Sequence, residues 1–371
     1  MTRRTDTSRL RSRRCWTTRW LPSTSSRAES KAPRNWRTPH MYRAALIGCG
    51  RIAPAHYEAF EGLTERAEIA ALCDMNDELR RQRQEETGVE TGFASLDELL
   101  QWGEFDIGVV LTPPGVRSNV CLPLMEAGKH VFVEKPFTHE LDEAQAIVDA
   151  ADRAGVTLAV SQNFRWMTPI PRMREEILNG RLGRIISASR VDTGWRDETG
   201  GWRNSTDYLA LSVMGVHWFD QFRWMLGEEA TRVYASSLTT GLLSSSGEDI
   251  TSSVVTFRSG AVVSLVHHWA SLTQRVTNCL QVEGSEGAVV QRGGTLTWFD
   301  KDGNREDEDA GRSTVPKSIE HSWHELLDAL GEGRRPCHHG RDNLGTMAIL
   351  AGAYESARTG ESVAIADDIV G

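Results

Sequence analysis

The sequence predicts a two-part α/β protein. Residues 41–163 should form a doubly wound parallel sheet, and 164–371 an α+β domain on an open-faced, mainly antiparallel sheet. Three observations predict it. Short apolar runs alternate with helix-like segments from residue 42 to 161, the pattern of consecutive βαβ units. The first run ends in a glycine-rich turn that opens a helix. Beyond residue 184 the alternation has period two and is broken by Gly, Ser and Asn turns, with few helices. A length of 371 residues suits two cores, since one core stops growing at roughly 250–300 residues.

Composition sets the outer limits. Hydrophobic residues make up 39% of the chain and charged residues 25%, a globular balance. No uncharged apolar run approaches the roughly 18 residues of a membrane helix, so no membrane partner is expected. The formal charge is −9. That argues against nucleic acid as a partner, because phosphate affinity comes from clustered Lys and Arg. The charge is uneven: residues 1–40 hold eleven basic and two acidic side chains, against 31 and 49 in 41–371. This tail lacks apolar periodicity and is expected to be a disordered basic extension. Arg13-Arg14 lacks the apolar segment that an export signal needs, while the Arg- and Ser-rich composition also resembles an organelle transit peptide. The simpler expectation is an upstream extension with Met41 as the natural start. The six cysteines include no C-x-x-C pair. No metal is expected, and a reducing cytoplasm is the simplest location.

Residues 42–47 read as a buried strand, followed by Gly48-Cys49-Gly50-Arg51-Ile52-Ala53 and a helix through Glu61. In this G-x-G-x-x-A turn Gly48 allows the sharp bend. Gly50 lets backbone approach a pyrophosphate, and Ala53 lets helix pack on strand. The helix start, with Arg51 and Ile52, presents free N–H groups to phosphates. A second strand, 68–73, ends at Asp74, where a carboxylate takes adenine-ribose hydroxyls. A dinucleotide is therefore the expected ligand. Asp74 repels a 2′-phosphate, and Met75 and Asn76 offer no cation, which favours NAD. Arg80 and Arg81, slightly further along, keep NADP open. Strands at 106–111, 129–133 and 157–161 and helices at 117–128 and 139–154 complete the pattern. Thr112-Pro113-Pro114 and Glu134-Lys135-Pro136 fall at strand carboxyl ends, where such sheets bind ligands.

Together GCGRIA, the CD of Cys73-Asp74, TPP, AGKHVFVEKP (127–136) and QNFRW (162–166) resemble the Gfo/Idh/MocA family of nicotinamide-dependent oxidoreductases. The resemblance runs over essentially all of 41–371, including PCHHGRDNLGTMAILAGAYESARTGESV near the C-terminus. It implies a Rossmann domain, an NAD(P) cofactor and a sugar or cyclitol substrate on one face of the second sheet. It also implies subunit contacts on the other face, giving a homodimer or homotetramer. Lys135 corresponds to the lysine that contacts the reacting hydroxyl. The G-x-H-x-x-D motif matches at Gly215, His217 and Asp220, within an expected helix 208–226, and its histidine assists proton transfer. Asn163, Arg165 and Trp166 match a segment near the nicotinamide, which implies Asn163 and Arg165 at the cofactor and Arg165 and Trp166 at the substrate.

Alcohol oxidation needs a hydride acceptor, a base and a stabiliser of alkoxide character. A strand-end lysine beside the cofactor can hydrogen-bond the oxygen; the plainer reading of Lys135 is a solvated surface charge. A neutral imidazole titrates in the useful range; the plainer reading of His217 is a core histidine. Asp220 is placed either to orient that ring or to serve structure alone. There is one departure. Family members often carry an acid four residues before the histidine, where this chain has Val213. Either Lys135 and His217 suffice, or Asp207 or Asp192 substitutes, or the chain binds without turnover. Trp195-Arg196 and Trp202-Arg203 flank a Gly-Gly loop. They either stack on a sugar and donate to its oxygens, or anchor the loop. His267 and His268 are strand neighbours, so at most one faces the site. The expected function is hydride transfer between nicotinamide and a secondary hydroxyl or ketone of a sugar, glycoside or cyclitol. The alternatives are a non-catalytic nucleotide- or sugar-binding regulator and a redox-neutral NAD-dependent glycoside lyase or hydrolase.

Overall fold

The first sheet contains β1 (Tyr42–Ile47), β2 (Ala67–Cys73), β3 (Gly92–Phe93), β4 (Ile107–Val110), β5 (His130–Glu134) and β6 (Leu158–Ser161). All its pairs are parallel, in the order β3-β2-β1-β4-β5-β6. The order reverses between β1 and β4, so a crevice opens at their carboxyl ends. Helices α1 (Ala53–Glu61), α2 (Asp77–Thr87), α3 (Leu96–Trp102), α4 (Arg117–Glu126) and α5 (Leu141–Ala154) connect the strands. All four residues of β4 are buried, as expected of a strand covered on both faces. This computed structural model describes residues 40–197, 200–273, 276–366 and 369–370. The extension expected to be disordered lies outside them, apart from His40. Residues 41–371 form one compact unit.

Helix α2 left no apolar signal in the sequence because none of its residues is buried. Its ends carry the information instead. The Asn76 side chain caps it by accepting from Leu79 N, and Gly88 at φ 72° stops it.

Beyond α6 (Ile170–Leu178), the chain builds the second sheet around α7 (Val216–Leu226), α8 (Val315–Glu332) and α9 (Gly340–Thr359). Its strands are β7 (Ile185–Thr193), β8 (Ala230–Leu238), β9 (Ile250–Phe257), β10 (Val262–His268), β11 (Cys279–Gly284), β12 (Gly287–Arg292), β13 (Thr295–Asp300), β14 (Arg305–Asp309) and β15 (Val363–Ala364). The order is β14-β13-β12-β11-β7-β10-β9-β8-β15, antiparallel except for β7 with β10. Strands β12 and β13 form a hairpin that turns at Gly293, φ 59°.

The long helices α8 and α9 correct the expectation of few helices in this half. Buried Ile319, Trp323, Leu326 and Leu327 of α8 join the core of the first sheet. Trp323 meets Phe60 and Phe132 with ring centroids 4.8 Å apart in each case. A helix far along the chain thus closes one face of the nucleotide-type sheet. No described helix is long and apolar enough to cross a membrane.

Candidate active site

The turn after β1 is built for close approach. Gly48 has φ 105°, and a Cβ there would lie 3.1 Å from the Leu111 carbonyl carbon, so only glycine fits without strain. A Cβ at Gly50 would meet no protein atom within 4 Å. The missing side chain therefore opens the loop outward, as a pyrophosphate cradle requires. Ala53 is fully buried against the sheet. Asp74 at the end of β2 accepts from Cys49 N at 2.7 Å and from Asn76 N at 2.8 Å. These observations fit a dinucleotide with unphosphorylated adenine ribose. Arg80 pairs with Asp77 and donates to Asp74 O, and Arg83 Nε donates to Cys49 O at 3.3 Å. Arg81 is exposed. The second arginine at the cradle is thus Arg83, one turn beyond Arg80.

The turns after β4 and β5 are tied together by Arg117, which sequence reasoning missed. Its buried guanidinium donates to Thr112 O at 3.0 and 3.1 Å, to Glu134 O, and to Phe137 O at 3.3 Å. Pro113 is exposed and Pro114 buried beside Thr112. Glu134, expected to contact cofactor, turns inward instead. Its carboxylate meets His56 Nε2 at 3.0 Å and accepts from Lys135 N at 3.1 Å. Burial pushes its pKa up, but the His56 hydrogen bond and charge and the Lys135 charge outweigh this and hold it below the usual range. The next residue therefore has a rigid base.

Lys135 Nζ donates to Val213 O at 2.9 Å. Val213 sits in a π-helical turn, Leu211–Gly215, that runs directly into α7. Its side chain packs with Leu209, Ala210, Leu243 and Trp269. His217 follows in the first turn of α7, 2% exposed, with its ring stacked on Phe164 at 3.9 Å and 7°. Its Nδ1 has no protein partner. Burial first, then the charges of Lys135 and Arg203, hold its pKa well below the ordinary histidine value. The ring is therefore neutral at pH 7. Arg203 lies over Trp202 at 5.7 Å, and His139 meets Trp202 edge-on at 5.9 Å. Trp195 is exposed at the end of β7, where it bridges to Ala270.

Several expected site residues face elsewhere. Arg165, expected at the nicotinamide and substrate, is buried in ion pairs. It donates to both Asp220 oxygens at 2.6 Å, to Asp342 at 2.5 Å and to Cys337 O at 2.7 Å. Asp220 therefore joins α7 to its neighbours and accepts from Thr346, not from His217. Trp166, expected at the substrate, is buried edge-on to His338 at 5.0 Å. Asn163, expected at the cofactor, donates to Ser318 Oγ on α8 at 2.7 Å. Asp207 is exposed. Asp192 is buried between Arg196 at 3.1 Å and Asn278 at 3.2 Å, with His267 at 3.7 Å. His267 lies under the π turn, since a Cβ at Gly215 would approach it to 3.3 Å. His268, its neighbour, falls on the opposite face of β10. Glu325, Cys337 and His338 bring ligand-type atoms within 4.8 Å of one another. Arg334 already holds the Glu325 carboxylate on both oxygens, which makes the cluster an ion pair rather than a metal centre.

A glycine turn and an acid after the second strand, at the switch point of a parallel sheet, are the arrangement of a dinucleotide-binding domain. Comparison with known proteins agrees. Residues 42–162 match the oxidoreductase family with an NAD-binding Rossmann fold, and 170–290 match the Gfo/Idh/MocA C-terminal domain. The chain belongs to this Gfo/Idh/MocA family. It is 29% identical over 354 residues to D-apiose dehydrogenase of Paraburkholderia graminis, covering 88% of this chain and 90% of that protein. It is 26% identical to myo-inositol 2-dehydrogenase of Thermotoga maritima, covering 89% and 100%. The crystal structure of the WlbA dehydrogenase from Bordetella pertussis, in complex with NADH and UDP-GlcNAcA, matches with TM-score 0.77 and 26% identity over 89% of this chain and 100% of that one.

Proposed function

We propose that this NAD-dependent oxidoreductase transfers a hydride between nicotinamide and a secondary hydroxyl, or the matching ketone, of a sugar, glycoside or cyclitol. The observation that carries the reading is the convergence of Lys135 and His217 on the π turn before α7. When bound, NAD supplies the hydride acceptor. Gly48, Gly50, Arg51, Ile52 and Asp74 hold its phosphates and ribose, with Thr112, Pro113 and Pro114 beside them. Lys135, anchored on Val213 O, is the cation that would donate to the substrate oxygen and favour its alkoxide form. His217, neutral at pH 7, accepts the hydroxyl proton. The main-chain oxygen of Val213 orients the lysine, so the missing acid side chain does not leave the ammonium without a partner. That favours turnover over a purely regulatory role. Trp202, Arg203 and Trp195 form the wall offered to substrate.

The same reading assigns 41–163 to cofactor and the second sheet to substrate, with α8 returning to support the first. It also includes a homodimer or homotetramer formed through the open face of the second sheet. There Tyr234, Val254, Ser264 and Ser189 lie in one row across four strands, and Ser236, Ser252, Val266 and Val191 in the next. These rows carry no charge, and Tyr234 and Val254 are exposed. The proposed location is the cytoplasm, in keeping with buried unpaired Cys49, Cys73 and Cys121.

The test is a panel of sugars, glycosides and inositols, assayed with NAD and then NADP by reduced-cofactor absorbance. Signal from one stereochemical class supports the dehydrogenase. Silence across the panel with tight NADH binding by fluorescence overturns it in favour of the regulator or the redox-neutral reaction.

A further inference from the structure

We infer that Glu248 is the positioning residue of the catalytic helix, acting as a cap supplied from a distant loop. This rests on the dehydrogenase reading above. An α-helix begins with four N–H groups that have no partner inside it. Here those donors are four consecutive groups, 209–212, that lead into and open the π turn, and each has a partner elsewhere in the chain. Leu209 N donates to Glu248 Oε2 at 2.8 Å, Ala210 N to Glu248 O at 3.0 Å and Leu211 N to Glu248 Oε1 at 2.9 Å. Ser212 N donates to the Tyr354 hydroxyl at 3.0 Å, and that hydroxyl donates to Glu248 Oε1 at 2.9 Å. The next group, Val213 N, bonds within the helix to Leu209 O at 2.7 Å. The cap therefore ends where the helix supplies its own acceptors.

Glu248 comes from the loop between β8 and β9 and is 6% exposed. Tyr354 comes from α9, where Tyr208 meets its ring edge-on at 4.8 Å. The loop is pressed onto the capped segment, since a Cβ at Gly247 would lie 2.6 Å from Thr206 O. A negative charge at this end also suits the helix dipole.

The consequence reaches the chemistry through the π turn. Such turns are less stable than regular α-helix and persist where their surroundings hold them. This one lies between the Glu248 cap and α7, and it aims Val213 O at Lys135 while setting the position of His217. Released at its start, the segment is free to relax toward α-helical geometry. Val213 O then turns away from Lys135, and His217 shifts with it. A carboxylate suits the role because two backbone N–H groups and a tyrosine O–H converge on its two oxygens. An amide would present its own N–H groups to one of those donors.

The test is Glu248→Gln, with Tyr354→Phe as the second variant. Turnover per NADH-binding site is expected to fall about tenfold or more in Glu248→Gln, with a smaller loss in Tyr354→Phe. NADH affinity, set in the first sheet, should stay unchanged, as should substrate KM. Unchanged turnover per site with only a lowered melting temperature would overturn the positioning role and leave a structural one. Hydrogen exchange supplies a readout independent of activity. Amides 209–212 should exchange about tenfold faster in the variants, while 219–226 keep their protection; equal exchange at 209–212 overturns the cap. A wild type silent on every substrate refutes the dehydrogenase reading, and the exchange comparison still decides the cap.

Discussion

The chemistry proposed for Lys135 and His217 depends on what surrounds them. The lysine is aimed by a main-chain oxygen and a backbone N–H that Glu134 holds in turn. Removing the ammonium should leave the cradle intact. Lys135→Met is expected to lose about a thousandfold or more in kcat while NADH affinity, read by fluorescence, stays within about threefold. His217 should set the acid limb of the pH profile. Burial, then Lys135 and Arg203, depress its pKa below 6.5, so the base form persists at mildly acidic pH. Activity should fall only at lower pH, as the ring takes up a proton. A kcat/KM profile from about pH 4 to 8 checks this, and His217→Asn should lower the rate and abolish the limb. Gly48→Ala would force a side chain into φ 105° and against Leu111. It is expected to weaken NADH binding about tenfold or more, measured by titration.

Helix packing separates two residues of one motif. In the G-x-H-x-x-D pattern His217 stacks on Phe164 with its Nδ1 unbonded, yet Asp220 one turn on points into the contact between α7 and α9. There Arg165 bridges Asp220 and Asp342. Arg165→Met should remove the nearest charged partner of buried Asp220 and of partly exposed Asp342 and cost about 3–5 kcal/mol, read as a lowered urea midpoint. The glycine cradle, Asp74 and the strand-end turns were legible in the sequence because each answers a local requirement: a tight turn, a close approach, a carboxyl end. Glu248 and Tyr354 were not. They lie 39 and 142 residues from the N–H groups they serve, and contacts over such separations leave no periodicity or spacing. Arg117 was hidden for a related reason, since its acceptors are backbone carbonyls of any sequence.

Across the whole molecule, burial holds several histidines neutral. His217 and His338 are held well below the ordinary value and His267 at about 3, burial being the largest cause in each. The unfolded chain protonates these rings near pH 6.5, whereas the native fold does not. Protons therefore favour unfolding, and stability should fall as pH drops below about 6.5, at about 1.4 kcal/mol per pH unit for each ring that stays neutral. Urea midpoints measured between about pH 7 and 4 check this, and His267→Asn should flatten the slope. The two uncharged rows of the open face, and the assembly proposed through them, make a second prediction at this scale. Val254→Glu places a carboxylate in its middle and should shift the assembly to monomer by sedimentation, with the melting of the isolated fold little changed.

The parallel first sheet, the glycine turn after β1 and the acid that follows β2 were legible in the sequence alone, as were Lys135 and His217 as candidates. Each depends on a few adjacent residues whose backbone needs only certain side chains can meet. Tertiary structure alone decided that Arg165 and Asp220 would be spent on each other and that α8 would cross to the first sheet. It also decided that the oxygen aiming Lys135 would come from a peptide bond. Those outcomes follow from which buried charges and open hydrogen-bond groups meet when distant segments pack.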